Sequence, residues 1–99
     1  MKAFVKVYGD VHGVGFRSYT ARLAKELTLN GLVKNEVDGS VVVFLDGKKE
    51  KIEKFVEIVK SVKCTGFFGP QVDKISVFFE GEKSFKPAWK IYNGFEVDY

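Results

Sequence analysis

Among its 99 residues only Cys64 is a cysteine, which excludes an internal disulfide and any cysteine-built metal site. A reducing compartment is the natural setting for such a chain. No apolar stretch approaches the roughly 20 residues that cross a bilayer as a helix. The opening run, MKAFVKVYG, carries charge and alternation where a signal peptide needs an apolar core. These absences lead to the expectation of a cytoplasmic protein with no membrane partner. Internal repeats, linkers and low-complexity tracts are also missing, so residues 1–99 are expected to form one compact domain. No Ser-His-Asp set and no metal-binding cluster is apparent, and neither a metal nor a cofactor is expected.

What is present is a core. The chain is 45% hydrophobic and 15% aromatic, with ten Phe, enough to bury an interior without covalent staples. The net charge of +3 favours small anionic ligands but is too mild to argue for nucleic acid by itself. Residues Lys2 to Gly9 alternate, with Ala3, Val5 and Val7 on one face and Phe4, Lys6 and Tyr8 on the other, the period of a strand. Apolar groups on both faces make it a central strand. From Phe16 to about Leu29 the period turns helical, through Phe16, Thr20, Leu23, Ala24 and Leu27, with Asn30-Gly31 as the stop signal. A short strand over Leu32 to Asn35, the Asp38-Gly39 turn and a strand over Ser40 to Asp46 read as a hairpin.

A second helix is expected over Lys48 to Val62, its buried stripe made by Ile52, Phe55, Val56 and Val59. A loop over Lys63 to Pro70 leads into a strand over Val72 to Phe79. A polar connection from Glu80 to Pro87 and an ambiguous Ala88-Trp89-Lys90 stretch precede a last short strand within Ile91 to Tyr99. The order βαββαβ plus a short C-terminal strand predicts an α+β, ferredoxin-like split βαβ sandwich, with two helices on one face of an antiparallel sheet.

The segment that carries chemistry is Gly9-Asp10-Val11-His12-Gly13-Val14-Gly15-Phe16-Arg17, where the first strand meets the first helix. Its three glycines let successive backbone N–H groups converge on one point, a nest that holds an anion. The helix adds its positive N-terminal end, and Arg17 adds a planar fork suited to two phosphate oxygens. The same residues also describe an ordinary tight turn followed by a solvated arginine, and spacing alone does not choose between them. The pattern fits neither a P-loop nor a dinucleotide fingerprint. Asn35 ends the second strand, where a split βαβ topology brings it near the loop leaving the first, although Asn near a turn is often conformational only.

Two motifs decide the matter. Val11-His12-Gly13-Val14-Gly15-Phe16-Arg17, followed by Tyr19-Thr20, resembles the acylphosphatase signature G-x-V-Q-G-V-x-F-R. Gly31-Leu32-Val33-Lys34-Asn35-Glu36-Val37-Asp38-Gly39-Ser40-Val41 resembles the family's G-W/L-V-x-N-x-x-D-G-S/T-V motif, one helix downstream. Gly69-Pro70 and Asn93-Gly94-Phe95-Glu96-Val97 are weaker matches, and the resemblance covers essentially the whole chain. It implies a metal-free, cofactor-free hydrolase that splits the carboxyl–phosphate anhydride of a small acyl phosphate into a carboxylate and inorganic phosphate. It implies Arg17 as the phosphate-binding arginine and Asn35 as the residue that positions the attacking water. It also implies that Val11, His12, Gly13, Val14, Gly15 and Phe16 form the backbone cradle for phosphate or similar anions. His12 stands where the family most often has Gln, which bears on loop geometry rather than on reaction type. A monomer with no nucleic-acid partner is expected.

Two rival readings remain open on the residues alone. One is a phosphate-binding module that turns over poorly. The other is a small RNA-binding domain using Phe4, Tyr8, Phe44 and the Phe78-Phe79 pair, for which the basic RNP-type run is absent. His12 has the chemistry of a general base, but a lone His in a glycine-rich loop more often bonds the backbone or faces solvent.

Overall fold

Alternation dominates the architecture. The computed structural model describes residues 1–11, 15–62, 71–86, 92 and 94–98. Its elements run β1 (Lys2–Asp10), α1 (Phe16–Glu26), β2 (Asn30–Asn35), β3 (Val41–Asp46), α2 (Lys49–Lys60), β4 (Gln71–Phe79) and β5 (Phe95–Asp98). The five strands form one sheet in the order β4-β1-β3-β2-β5, so β1 is internal, as its two apolar faces predict. Successive side chains point to opposite faces of a strand. Ala3, Val5 and Val7 of β1, Val33 of β2, and Val41, Val43 and Leu45 of β3 therefore share one face. They pack there beneath Phe16 and Ala24 of α1 and Ile52, Phe55 and Val59 of α2. Burying a Phe such as Phe16 or Phe55 contributes about 1.5–3 kcal/mol. The opposite face carries a smaller cluster of Phe4, Leu32, Val42, Phe44 and Tyr92, with Phe78 and Phe85 against it.

The split βαβ core is antiparallel throughout, β1 pairing with β3 and β4, and β2 with β3. The extra strand differs: β5 lies parallel to β2, with Gly31 opposite Phe95 and Val33 opposite Val97, which makes the sheet mixed. Its entry is fixed by the Gly31 N–H donating to the Gly94 carbonyl (2.9 Å) and the Gly94 N–H donating to Asn30 Oδ1 (3.0 Å). Asn30-Gly31 thus opens a strand and does not stop the helix. The helix ends earlier, where Thr28 adopts φ 56° and the chain reverses. There the Leu29 N–H donates to the Ala24 carbonyl (2.9 Å) and the Thr28 N–H to that of Lys25 (3.1 Å), a Schellman closure. Alternation also parts the Phe78-Phe79 pair, sending Phe78 to the helix-free face and Phe79 to the helix side. The expected loop over Lys63 to Pro70, with Cys64, and the Ala88 to Lys90 stretch, with Trp89, lie outside the described residues.

A β-branched residue in the left-handed region is strained by about 1–2 kcal/mol. Thr28→Gly is therefore expected to stabilise the fold by about 1 kcal/mol, which for a domain of this size raises Tm by roughly 4–8 °C in thermal unfolding.

Candidate active site

The strand ladder brings the two motifs to one end of the sheet. Asn35 lies opposite Val41, and Val41 lies opposite Val7, which in turn lies opposite Ile75. These four positions form a row across the sheet near the C-terminal end of β1. α1 starts at this end and packs on β2 and β5. Both described ends of the glycine-rich segment are anchored in the same core, since Val11 and Phe16 are each 1% exposed and join the cluster that holds Val7 and Val41. Of the expected cradle, Val11, Gly15, Phe16 and Arg17 are placed, whereas His12, Gly13 and Val14 lie outside the described residues.

Two glycines frame the segment for different reasons. Gly9 sits at φ 140° beside an irregularity in the β1–β4 ladder, and a Cβ there would run into the Gln71 carbonyl oxygen. Gly15 is the residue before α1, at φ 75° and ψ 12°, a left-handed cap that an L side chain rarely adopts. Because that cap is glycine, it offers no side-chain acceptor to the first turn, and the turn itself contains no acidic residue. The first N–H groups of a helix have no intrahelical acceptor, and its dipole leaves that end positive. α2 contrasts with this, carrying Glu50 in its first turn. The half-buried Arg17 lies in the first turn of α1, and the fully buried Thr20 steadies that turn by donating its hydroxyl to the Arg17 carbonyl at 2.9 Å. The Phe16 and Tyr19 rings, 6.3 Å apart, flank it.

Asn35 is half-buried, and its Oδ1 is buried with no hydrogen-bond partner among the described residues. An unsatisfied buried acceptor costs about 1–3 kcal/mol, so it calls for a donor from outside the described chain. The turn after Asn35 is held tightly. The Glu36 N–H donates to the Ser40 carbonyl (2.9 Å) and the Gly39 N–H to the Glu36 carbonyl (3.2 Å). Asp38 Oδ1 accepts from the Ser40 hydroxyl (2.6 Å) and N–H (3.0 Å), while Asp38 Oδ2 pairs with Lys6 Nζ of β1 at 3.0 Å. These donors, the Ser40 hydroxyl foremost and then the Ser40 N–H and Lys6, hold the Asp38 carboxyl well below its ordinary range. The bond to Asp38 correspondingly raises Lys6. Lys34 reaches Glu36 on the same hairpin at 3.6 Å. In the sequence Asp38-Gly39 reads only as a turn signal and Lys6 only as an alternating polar position. The Asp-x-Ser spacing was the one local hint of a side chain folding back on its own turn.

The sign of the pH effect is set by Asp38. Its carboxyl is depressed on folding, so its contribution is complete above the unfolded value near 3.8 and is lost as pH falls below it. Asp38→Asn is expected to flatten the dependence of stability on pH in that acid range, read from denaturant midpoints. An unchanged acid slope would contradict the Asp38 network.

Comparison with known proteins identifies the family and the fold. The acylphosphatase family model matches residues 3–95. An acylphosphatase of Archaeoglobus fulgidus is 37% identical over 95 residues, covering 96% of this chain and 94% of that protein. One of Picrophilus torridus is 33% identical over 92 residues, covering 93% and 95% respectively. The crystal structure of acylphosphatase from Bacillus subtilis superposes with a TM-score of 0.78 at 29% identity, covering 99% of this chain and 98% of that one. A family match over nearly the whole chain, joined to relatives aligned end to end, shows that this protein belongs to the acylphosphatase family.

Proposed function

We propose that hydrolysis of the acyl phosphate is carried by Arg17, by the backbone amides of the Val11 to Phe16 segment and by Asn35. The observation that carries this reading is the buried Oδ1 of Asn35, without a partner among the described residues, on the sheet row that faces the helices and at the end where α1 begins. Water is a donor, and a water giving one O–H to Asn35 Oδ1 is turned so that an oxygen lone pair is free for phosphorus. The Arg17 guanidinium and the first-turn amides of α1 suit the charge spread over three phosphoryl oxygens.

The chemistry asks for little else. The leaving group is a carboxylate, a weak base that departs without a general acid. As the water oxygen bonds to phosphorus, the bond from phosphorus to the acyl oxygen breaks and its electron pair stays on the carboxylate. The water proton passes to an oxygen of the phosphoryl group itself, so the products are a carboxylate and inorganic phosphate. Positioning and preorganised charge supply the acceleration. In this reading the enzyme needs no metal or cofactor. It works as a monomer in the cytoplasm, with inorganic phosphate as both product and loop ligand.

The experiment is hydrolysis of benzoyl phosphate or acetyl phosphate in EDTA, wild type beside variants. Arg17→Ala is expected to lose at least about 10²–10³ in rate, and Arg17→Lys not to restore it, since an ammonium cannot replace a bidentate fork. Near-normal turnover by Arg17→Ala would sink the assignment. Phosphate binding by a wild type that fails to turn over would leave a binding module in its place.

Asn35→Ala is expected to slow kcat while inhibition by inorganic phosphate is retained. Because it removes an acceptor that has no partner among the described residues, it should not lower Tm. Equal loss of turnover and phosphate affinity would instead mark Asn35 as structural.

A further inference from the structure

The turn that follows Asn35 reaches back to β1, and the proposed reaction gives that contact no role. The β1–β3 ladder ends with Val7 opposite Val41, so the turn from Glu36 to Ser40 projects beyond the last pair that ties the hairpin to β1. The turn closes on itself through the Glu36 N–H to the Ser40 carbonyl, the Gly39 N–H to the Glu36 carbonyl, and Ser40 to the Asp38 carboxylate. These bonds lie within the turn and do not fix it to β1. Asp38 Oδ2 does so, by pairing with Lys6 Nζ at 3.0 Å. Lys34 is on the same sheet face as Lys6, but its 3.6 Å pair with Glu36 stays inside the hairpin.

Both ends of this brace are held. Lys6 lies opposite Val42 on β3 and Ser76 on β4, its Nζ stands 5.5 Å from the centroid of the Tyr8 ring, and its side chain is only 27% exposed. The other oxygen of Asp38 accepts from Ser40, which is itself fully buried. An ion pair this open to solvent adds little to folding stability. Position is a different matter, since a misplacement of about 1 Å in a group that aligns a reactant costs about a hundredfold in rate. β1 runs on from Lys6 into the glycine-rich segment and α1, whereas β2 ends at Asn35, whose Oδ1 is buried. The brace thus joins the strand that leads to Arg17 to the turn that leaves Asn35.

We infer that Lys6 is a positioning residue for the hydrolysis: through Asp38 it holds the turn after β2 against β1, and so keeps Asn35 Oδ1 aligned with a phosphoryl group at the start of α1. The inference rests on the proposed role of Asn35. Lys6 lies on the sheet face away from α1, so it acts through Asn35 and not on the substrate.

The test is benzoyl phosphate hydrolysis by Lys6→Met, Lys6→Arg, Asn35→Ala and the Lys6→Met/Asn35→Ala double variant, with inorganic phosphate as inhibitor. Lys6→Met is expected to lower kcat about fivefold while inhibition by phosphate is unchanged. Lys6→Arg should keep most of the rate, because a guanidinium still offers Asp38 a charged donor. In the Asn35→Ala background Lys6→Met should cost nothing further, an outcome that general loosening of the fold would not produce. The side-chain amide resonances of Asn35 should shift or broaden in Lys6→Met. Wild-type kcat in Lys6→Met beside a slowed Asn35→Ala would overturn this inference alone. A fivefold loss that persists in the Asn35→Ala background would overturn it as well. Wild-type kcat in Asn35→Ala would instead remove the role of Asn35, and this inference with it.

Discussion

Register is the constraint on which the rest of the molecule depends. One face of the sheet must bury Ala3, Val5, Val7, Val33, Val41, Val43 and Leu45 beneath two helices. Slipping any strand by one residue would turn this set to the other side and expose it. The requirement is satisfied only with Val7, Val41 and Asn35 in one row. The position of Asn35 is thus set by hydrophobic burial several residues away. A polar side chain whose buried oxygen has no partner among the described residues is held on the helix side because Val33, two positions before it, belongs to the core. Lys34 and Glu36 are sent to the other face by the same rule, and three consecutive residues serve two surfaces.

The loop end shows a second economy. Gly9 is demanded by a close backbone approach and Gly15 by a left-handed cap. A glycine cap also leaves the helix start without the side-chain acceptor that Ser, Thr, Asn or Asp would provide. Local stability is given up where an anion would be received. α2, with Glu50 in its first turn and Lys60 in its last, has both ends complemented and makes no comparable opening.

Most of the fold was legible because it is written in periods of two and of 3.6, and those need no knowledge of distant contacts. The unread parts depend on contacts between distant segments. Asn30-Gly31 looks like a helix stop. Yet Thr28 takes the strained closing conformation, because Leu29 and Ala24 are both wanted in the core, and Asn30 and Gly31 are needed to receive β5. The parallel docking of β5 has no local signature, since a four-residue strand records nothing of its partner's direction. At the site, Arg17 and Asn35 stood out through motif resemblance, and the buried state of Asn35 Oδ1 required coordinates. The bond from Lys6 to Asp38 joins residues far apart in sequence, and neither looks unusual alone.

The internal place of β1 has a consequence for how the chain comes to be folded. β1, made before the other strands of this sheet, needs partners on both sides, β3 on one and β4 on the other. Its second edge stays open until Gln71–Phe79 has been made, so β1 waits longest for cover. Apart from the β2–β3 hairpin, every pairing in the sheet closes a long stretch of chain, which makes assembly slow relative to helical proteins of this length. The strand that leads into the glycine-rich loop is therefore the one that spends the most time exposed, and crowding or chaperone capture would act on it first.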